Sequence, residues 1–183
     1  VPGTEPGPGA LAVRLTDRRL AMDLRARFGR PLRLAVIGGG PASWIGQMHR
    51  SAAELDGWFR TTAGVFSSDP ARSRAAGALI GIDPARSYGD VNEMLQAEAS
   101  RPDRIDAVAI MTPNDTHYAY AAAALDAGLD VVCDKPVSET HAQALDLLAR
   151  TQARQRIFAI AHAYSAYPMI RHARQMVRDG AIG

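Results

Sequence analysis

Lys135 is the one lysine in a chain of 183 residues whose lysines and arginines together number 21. An arginine keeps its proton near neutral pH, whereas a lysine can be tuned by burial and neighbours until it exchanges one. Lys135 is therefore the one cationic side chain here suited to proton transfer. It stands between Asp134 and Pro136, directly after the apolar run Val131, Val132, Cys133. Ligands in open α/β sheets bind just beyond the carboxyl ends of strands, which is where such a residue would lie. Position alone favours a solvated lysine before a proline turn. Its pairing with a glycine cluster far earlier in the chain favours chemistry.

Gly38, Gly39 and Gly40 directly follow the apolar run that begins at Leu32. A bend without side chains between a strand and a helix lets a diphosphate approach backbone amides, and the helix aims its positive end at the charge. A strict G-x-G-x-x-G would place glycine where Ser43 stands, so Pro41 to Trp44 read as a small insertion and Gly46, after Ile45, takes the third glycine's packing role. A purely structural turn is the competing reading. After the next apolar run come Ser67, Ser68 and Asp69, where dinucleotide sites contact the adenosine ribose. The serines would tolerate a 2′-phosphate that Arg72 could reach, while Asp69 suits an unphosphorylated ribose, so NAD and NADP both remain open. Ser67 and Asp69 fit helix capping just as well.

A third constellation is Thr112, Pro113, Asn114 and His117. Pro113 ends a strand, and Asn114 offers both donor and acceptor where a nicotinamide or ribose would lie. Asn114 also suits an ordinary turn, and His117 an ordinary first-turn histidine. His141 and His172 fall at solvated helix positions, His162 follows the last strand, and His49 suits packing or capping. No histidine pair has zinc spacing and Cys133 is a lone, strand-borne cysteine, so no metal site is expected.

These groups need a scaffold, and the hydrophobic pattern supplies one. Short apolar runs alternate with segments of helical period, which predicts βα units and a parallel sheet covered on both faces. Strands are expected over 32–37, 59–66, 107–111, 130–133 and 157–161, with a short one at 86–88. Helices are expected over 44–55, 70–79, 91–99, 116–127 and 139–153. Right-handed crossovers make the fold class α/β, a doubly wound parallel sheet of Rossmann type. Residues 1–30, opening on a Pro/Gly-rich stretch, read as a tail followed by a short amphipathic helix bearing Leu20, Met22, Leu24 and Phe28. Residues 31–162 read as the domain itself, and 163–183 as a hinge and helix.

Composition narrows the partners. Hydrophobic residues at 47% and charged residues at 22% are ordinary for a globular protein. The formal charge of +2 comes from arginines scattered among acids, so nucleic acid is not an expected partner. No apolar run approaches the ~20 residues of a membrane span, and the opening has no secretory pattern, so the expected location is cytoplasmic.

Taken together, AIMTPNDTH (Ala109 to His117), ALDAGLDVVCDKP (Ala124 to Pro136), IGQMH (Ile45 to His49) and the glycines resemble the Gfo/Idh/MocA family of oxidoreductases. DKP stands where that family usually has EKP. The resemblance runs from Leu32 to the C-terminus, with YSAYP and DGAIG similar to the crossing into a second domain. It implies that Gly38, Gly40 and Gly46 surround a pyrophosphate and that Thr112, Pro113 and Asn114 border the ribose and nicotinamide. Asp134 and Lys135 would meet cofactor and substrate, with Lys135 holding or protonating the reacting oxygen. It further implies an NAD(P)-dependent dehydrogenase acting on a sugar or polyol, homo-oligomeric at full length. Its C-terminal α+β substrate domain would be absent from this sequence. The alternative from another class is a dinucleotide-binding sensor or regulatory module without chemistry.

Overall fold

A computed structural model describes residues 28–181. The chain clusters into two units, Val1–Pro31 and Leu32–Gly183, and the second contains the sheet and its covering helices. The helix expected around Leu20 to Phe28 lies almost wholly outside the described residues.

Five strands form one parallel sheet: β1 (Leu32–Gly38), β2 (Phe59–Val65), β3 (Ala107–Met111), β4 (Asp130–Asp134) and β5 (Phe158–Ala161), in the order β2-β1-β3-β4-β5. Helices α1 (Trp44–Leu55), α2 (Pro70–Leu79), α3 (Val91–Ala99), α4 (Asn114–Asp126) and α5 (His141–Ala153) connect them, and α6 (Pro168–Arg178) follows β5. Alternate residues of β1 divide between two cores. Leu34 and Val36 join Phe66, Ala109 and Met111 beneath Ile45 and Ala53 of α1, while Ala35 and Ile37 join Met94, Ala121, Leu125 and Leu147 of α3, α4 and α5. The sheet is thus buried on both faces, which is why its strands read as continuous apolar runs.

Local chemistry sets the helix ends. Ser43, Asp69, Asp90 and Thr140 each cap a helix by accepting a backbone amide three residues on, and Thr140 with Gln143 completes a reciprocal capping box. Helix α5 therefore starts at His141 rather than 139, because Thr140 is spent as its cap. Helix α4 starts at Asn114, two residues earlier than expected, with Pro113 at φ −56° as the extended residue before it.

The strand expected at 86–88 does not form. Asp83 accepts the Ala85 amide and opens a turn of 3₁₀ helix over Pro84–Arg86, leaving a single parallel bridge from Ser87 to Gly64 of β2. A buried ionic cluster replaces the ladder there. Arg86 donates to both carboxylate oxygens of Glu98 at 2.9 and 2.5 Å, and Glu98 also accepts from the Tyr88 hydroxyl at 2.8 Å and the Ile105 amide at 3.1 Å. Burial and the bond to Glu98 push the Tyr88 hydroxyl up to about 12. Such a cluster needs every group satisfied, and these four bonds tie the segment to α3 and to the residues just before β3.

Strand β5 closes one edge of the sheet. Ile157 just before it and Ile160 on it, and Tyr164, Met169, Ile170 and Val177 around and on α6, are exposed. Among the described residues no helix is long and apolar enough to cross a membrane.

Candidate functional site

From β1 the chain passes through α1 to β2 on one side, then returns to the other side of β1 to form β3. Helix α1 packs on one face of the sheet and α4 on the other. The carboxyl ends of β1 and β3, paired up to Gly38 and Met111, therefore open onto a crevice. A cavity of about 440 Å³ occupies it.

The glycine turn forms the floor. Gly38 has φ +86°, and a Cβ there would lie 2.8 Å from the Met111 carbonyl oxygen and 2.9 Å from Cγ2 of Thr112. Gly46 is buried in the first turn of α1, where a Cβ would run into the Gly39 carbonyl. Strand end and helix start are thus in backbone contact, closer than any side chain permits. Ser43, at the position a strict glycine motif would fill, folds back so that its hydroxyl accepts the Gly46 amide at 3.1 Å. Arg50, one turn further along α1, donates to the Gly39 carbonyl from behind. Trp44 is 73% exposed and is not among the side chains that line the cavity.

Of the residues singled out from sequence, Gly38, Gly39, Ser67, Ser68, Thr112 and Pro113 line this cavity. Gly40, Ile45 and Gly46 complete the turn behind it, Gly40 so close to Phe66 that a Cβ would lie 2.9 Å from its carbonyl oxygen. Asn114 is exposed at the first residue of α4. Asp134 ends β4 half-buried, and Lys135 follows it exposed, joined by a cis bond to Pro136. His117 is turned inward rather than toward the cavity. It is 1% exposed, with Nδ1 2.7 Å from the Pro136 carbonyl oxygen and Nε2 2.9 Å from that of Thr112.

The cavity also takes Asp115, Thr116 and Tyr120, which the sequence patterns leave unmarked. A signal exists in the spacing of four from Thr112 through Thr116 to Tyr120, and the later helix start expected for α4 hides it. Thr116 Oγ1 stands 2.7 Å from both Thr112 Oγ1 and the Pro113 carbonyl oxygen, which holds the β3–α4 turn in shape. Nothing in the sequence marks Arg50.

Beyond the end of β2, Asp69 is committed to α2, accepting the Arg72 amide at 2.7 Å, with the Arg72 guanidinium 4.0 Å away and largely exposed. Neutral serine hydroxyls are left facing the cavity. Near β4, burial holds His49 below the usual histidine range, opposed by the charge of Asp134. Burial, reinforced by Asp134, pushes the Cys133 thiol up to about 12, which keeps it from acting as a nucleophile. Among the described residues no group of three or more His, Cys, Asp or Glu side chains is placed to hold a metal ion.

A bend that only glycine fits, a helix start beside it and a roomy crevice between β1 and β3 together make a seat for a dinucleotide. Comparison with known proteins agrees. Residues 32–162 match the model of an oxidoreductase family with an NAD-binding Rossmann fold. The oxidoreductase YfiI of Bacillus subtilis is 38% identical over 157 residues, 85% of this chain and 40% of that protein. The D-xylose 1-dehydrogenase [NADP(+)] of Haloarcula marismortui is 28% identical over 153 residues, 84% of this chain and 41% of that protein. Among solved structures, an inositol dehydrogenase homolog from Azotobacter vinelandii, complexed with NADH and myo-inositol, superposes with a TM-score of 0.80 at 44% identity. That superposition covers 86% of this chain and 41% of that one. The chain thus spans about 40% of the length of these relatives.

Proposed function

Because the chain belongs to the Gfo/Idh/MocA oxidoreductase family by its NAD-binding Rossmann domain, we propose that it is the cofactor-holding part of an NAD(H)-dependent dehydrogenase acting on a polyol or sugar. One observation carries the reading: the open cavity at the β1–β3 crossover, floored by a turn in which Gly38 and Gly46 leave no room for a Cβ.

When bound, the nicotinamide supplies the acceptor or donor of hydride. The chain's own residues hold and orient. Gly38, Gly39, Gly40 and Gly46, with Ile45 beside them, take the diphosphate. Ser67 and Ser68 face the adenosine ribose, and Thr112, Pro113 and Asn114 border the second ribose and the nicotinamide. Asp134 and Lys135 stand at the adjoining strand end, where Lys135 would hold the reacting oxygen, its ammonium giving that oxygen a proton when a carbonyl is reduced and its neutral amine taking the hydroxyl proton when an alcohol is oxidised. NAD(H) is favoured over NADP(H) because Arg72 lies beside Asp69, whose charge offsets its own, and because the Azotobacter homolog was crystallised with NADH.

The same comparison supports a polyol as substrate class, since that homolog is complexed with myo-inositol. The exposed apolar side chains of α6 support residues 163–183 as a hinge leading to a separate substrate domain, and relatives of which this chain spans about 40% support a longer protein; homo-oligomeric and cytoplasmic are the state and location proposed for it. The scattered charge supports a small molecule rather than nucleic acid as partner. Titration calorimetry of the chain with NADH and NADPH tests the reading. Heat with NADH, and less with NADPH, is expected; the absence of heat or fluorescence change with either sinks it. In the longer protein, Lys135→Met cuts turnover far more than NADH affinity, and equal losses would mark the lysine as a cofactor-holding or structural residue.

A further inference from the structure

We infer that His117 is a positioning residue that locks the turn carrying Lys135 to the turn that borders the nicotinamide end of the cavity, an inference that rests on the proposed cofactor role. The two turns leave different strands. Thr112 and Pro113 follow β3 and line the cavity, whereas Lys135 and Pro136 follow β4. The backbone ladder between those strands stops at Ile110 and Cys133, so beyond that point no backbone pairing joins the two segments. His117 spans the gap. Its ring reaches the Thr112 carbonyl oxygen at 2.9 Å from Nε2 and the Pro136 carbonyl oxygen at 2.7 Å from Nδ1.

A carbonyl oxygen only accepts, so each contact is a hydrogen bond when the facing nitrogen carries its hydrogen. A neutral ring serves one carbonyl at a time, and a ring carrying both hydrogens serves the two together. The ring is 1% exposed, so water has little access to its two nitrogens. Thr116 braces the same β3–α4 turn through the Thr112 hydroxyl and the Pro113 carbonyl, which makes that end of the bridge firm. Lys135, itself exposed, then owes its placement to the neighbouring peptide that His117 grips. The bridge holds the proton-bearing side chain at a fixed offset from the cofactor's reactive end, a geometry on which transfer rates depend steeply.

Lys135 being the sole lysine, its side chain can be read alone. Reductive ¹³C-methylation of the 183-residue chain gives one lysine signal, distinct from that of the N-terminal amine, in NMR. In His117→Phe this signal moves to the narrow line and shift of a free lysine, and the further shift caused by saturating NADH shrinks by half or more. NADH affinity falls about tenfold, as expected for loss of roughly one net hydrogen bond of pre-organisation. Glu98→Gln, at the opposite end of the sheet, lowers stability without moving the lysine signal. If His117→Phe does not fold, His117→Gln replaces it and gives an intermediate shift. A lysine signal unchanged by the His117 substitution, free and with NADH, overturns the proposal. Failure of the wild-type chain to bind NADH would instead count against the cofactor reading, and the comparison of the free-state signals still decides the role of His117.

Discussion

Replacing Gly38 by alanine tests whether the glycine turn is a seat or merely a bend. Two costs arise. The first is conformational, because at φ +86° an alanine methyl crowds its own backbone by about 1–2 kcal/mol. The second is a clash, because the new Cβ would stand 2.8 Å from the Met111 carbonyl oxygen and 2.9 Å from Thr112 Cγ2, which forces displacement costing about 1–3 kcal/mol. Gly81 provides the control. It has φ +77° with nothing within 4 Å of a built Cβ, so Gly81→Ala incurs the first cost alone. The gain from a stiffer unfolded chain is common to both and cancels. Gly38→Ala is therefore more destabilising than Gly81→Ala by about 1–3 kcal/mol in urea unfolding followed by circular dichroism. Met111 and Thr112 both line the cavity, so the same displacement should weaken NADH about tenfold for each 1.4 kcal/mol that enters the binding step. Equal destabilisation by the two substitutions, with NADH affinity intact in Gly38→Ala, would refute the reasoning.

Glu98→Gln leaves Arg86 buried with only Asp103, at 3.3 Å, to answer its charge, so a loss of about 3 kcal/mol is expected with NADH affinity unchanged; calorimetric unfolding and a parallel NADH titration check both halves. For His49, burial lowers the folded pKa below the ordinary 6.5, so on acidification the unfolded ensemble takes up a proton first. Stability should therefore fall as pH drops through that value, and urea midpoints measured from about pH 7.5 to 5.5 should show this slope flattened in His49→Gln.

Much of the scaffold could be read from residue types because several levels agree. Helices α1, α2 and α3 have the bounds that their periodicity and caps predicted, and β3 begins and ends where its apolar run does. Disagreement arose where side chains compete with backbone pairing. Ser87 and Tyr88 look like strand residues, but the Asp83 cap and the Arg86–Glu98 pair, the second made with a helix twelve residues on, hold the segment in a tighter turn. At the site, glycines and serines could be placed because their meaning is local. The inward turn of His117 was not legible, since it depends on Pro136, which follows a different strand, and neither ring contact leaves a trace in spacing.

The sheet order places β1 and β3 at its centre, each hydrogen-bonded on both sides and covered on both faces, with Val36, Val108 and Ile110 shut off from solvent. Amides there should exchange with deuterium only through global opening, whereas those near β5 and α6 exchange through smaller excursions. Gly38 and Thr112 hang directly from the ends of these two slow strands. Thermal breathing elsewhere in the domain can thus come and go while the floor and near wall of the crevice keep their spacing.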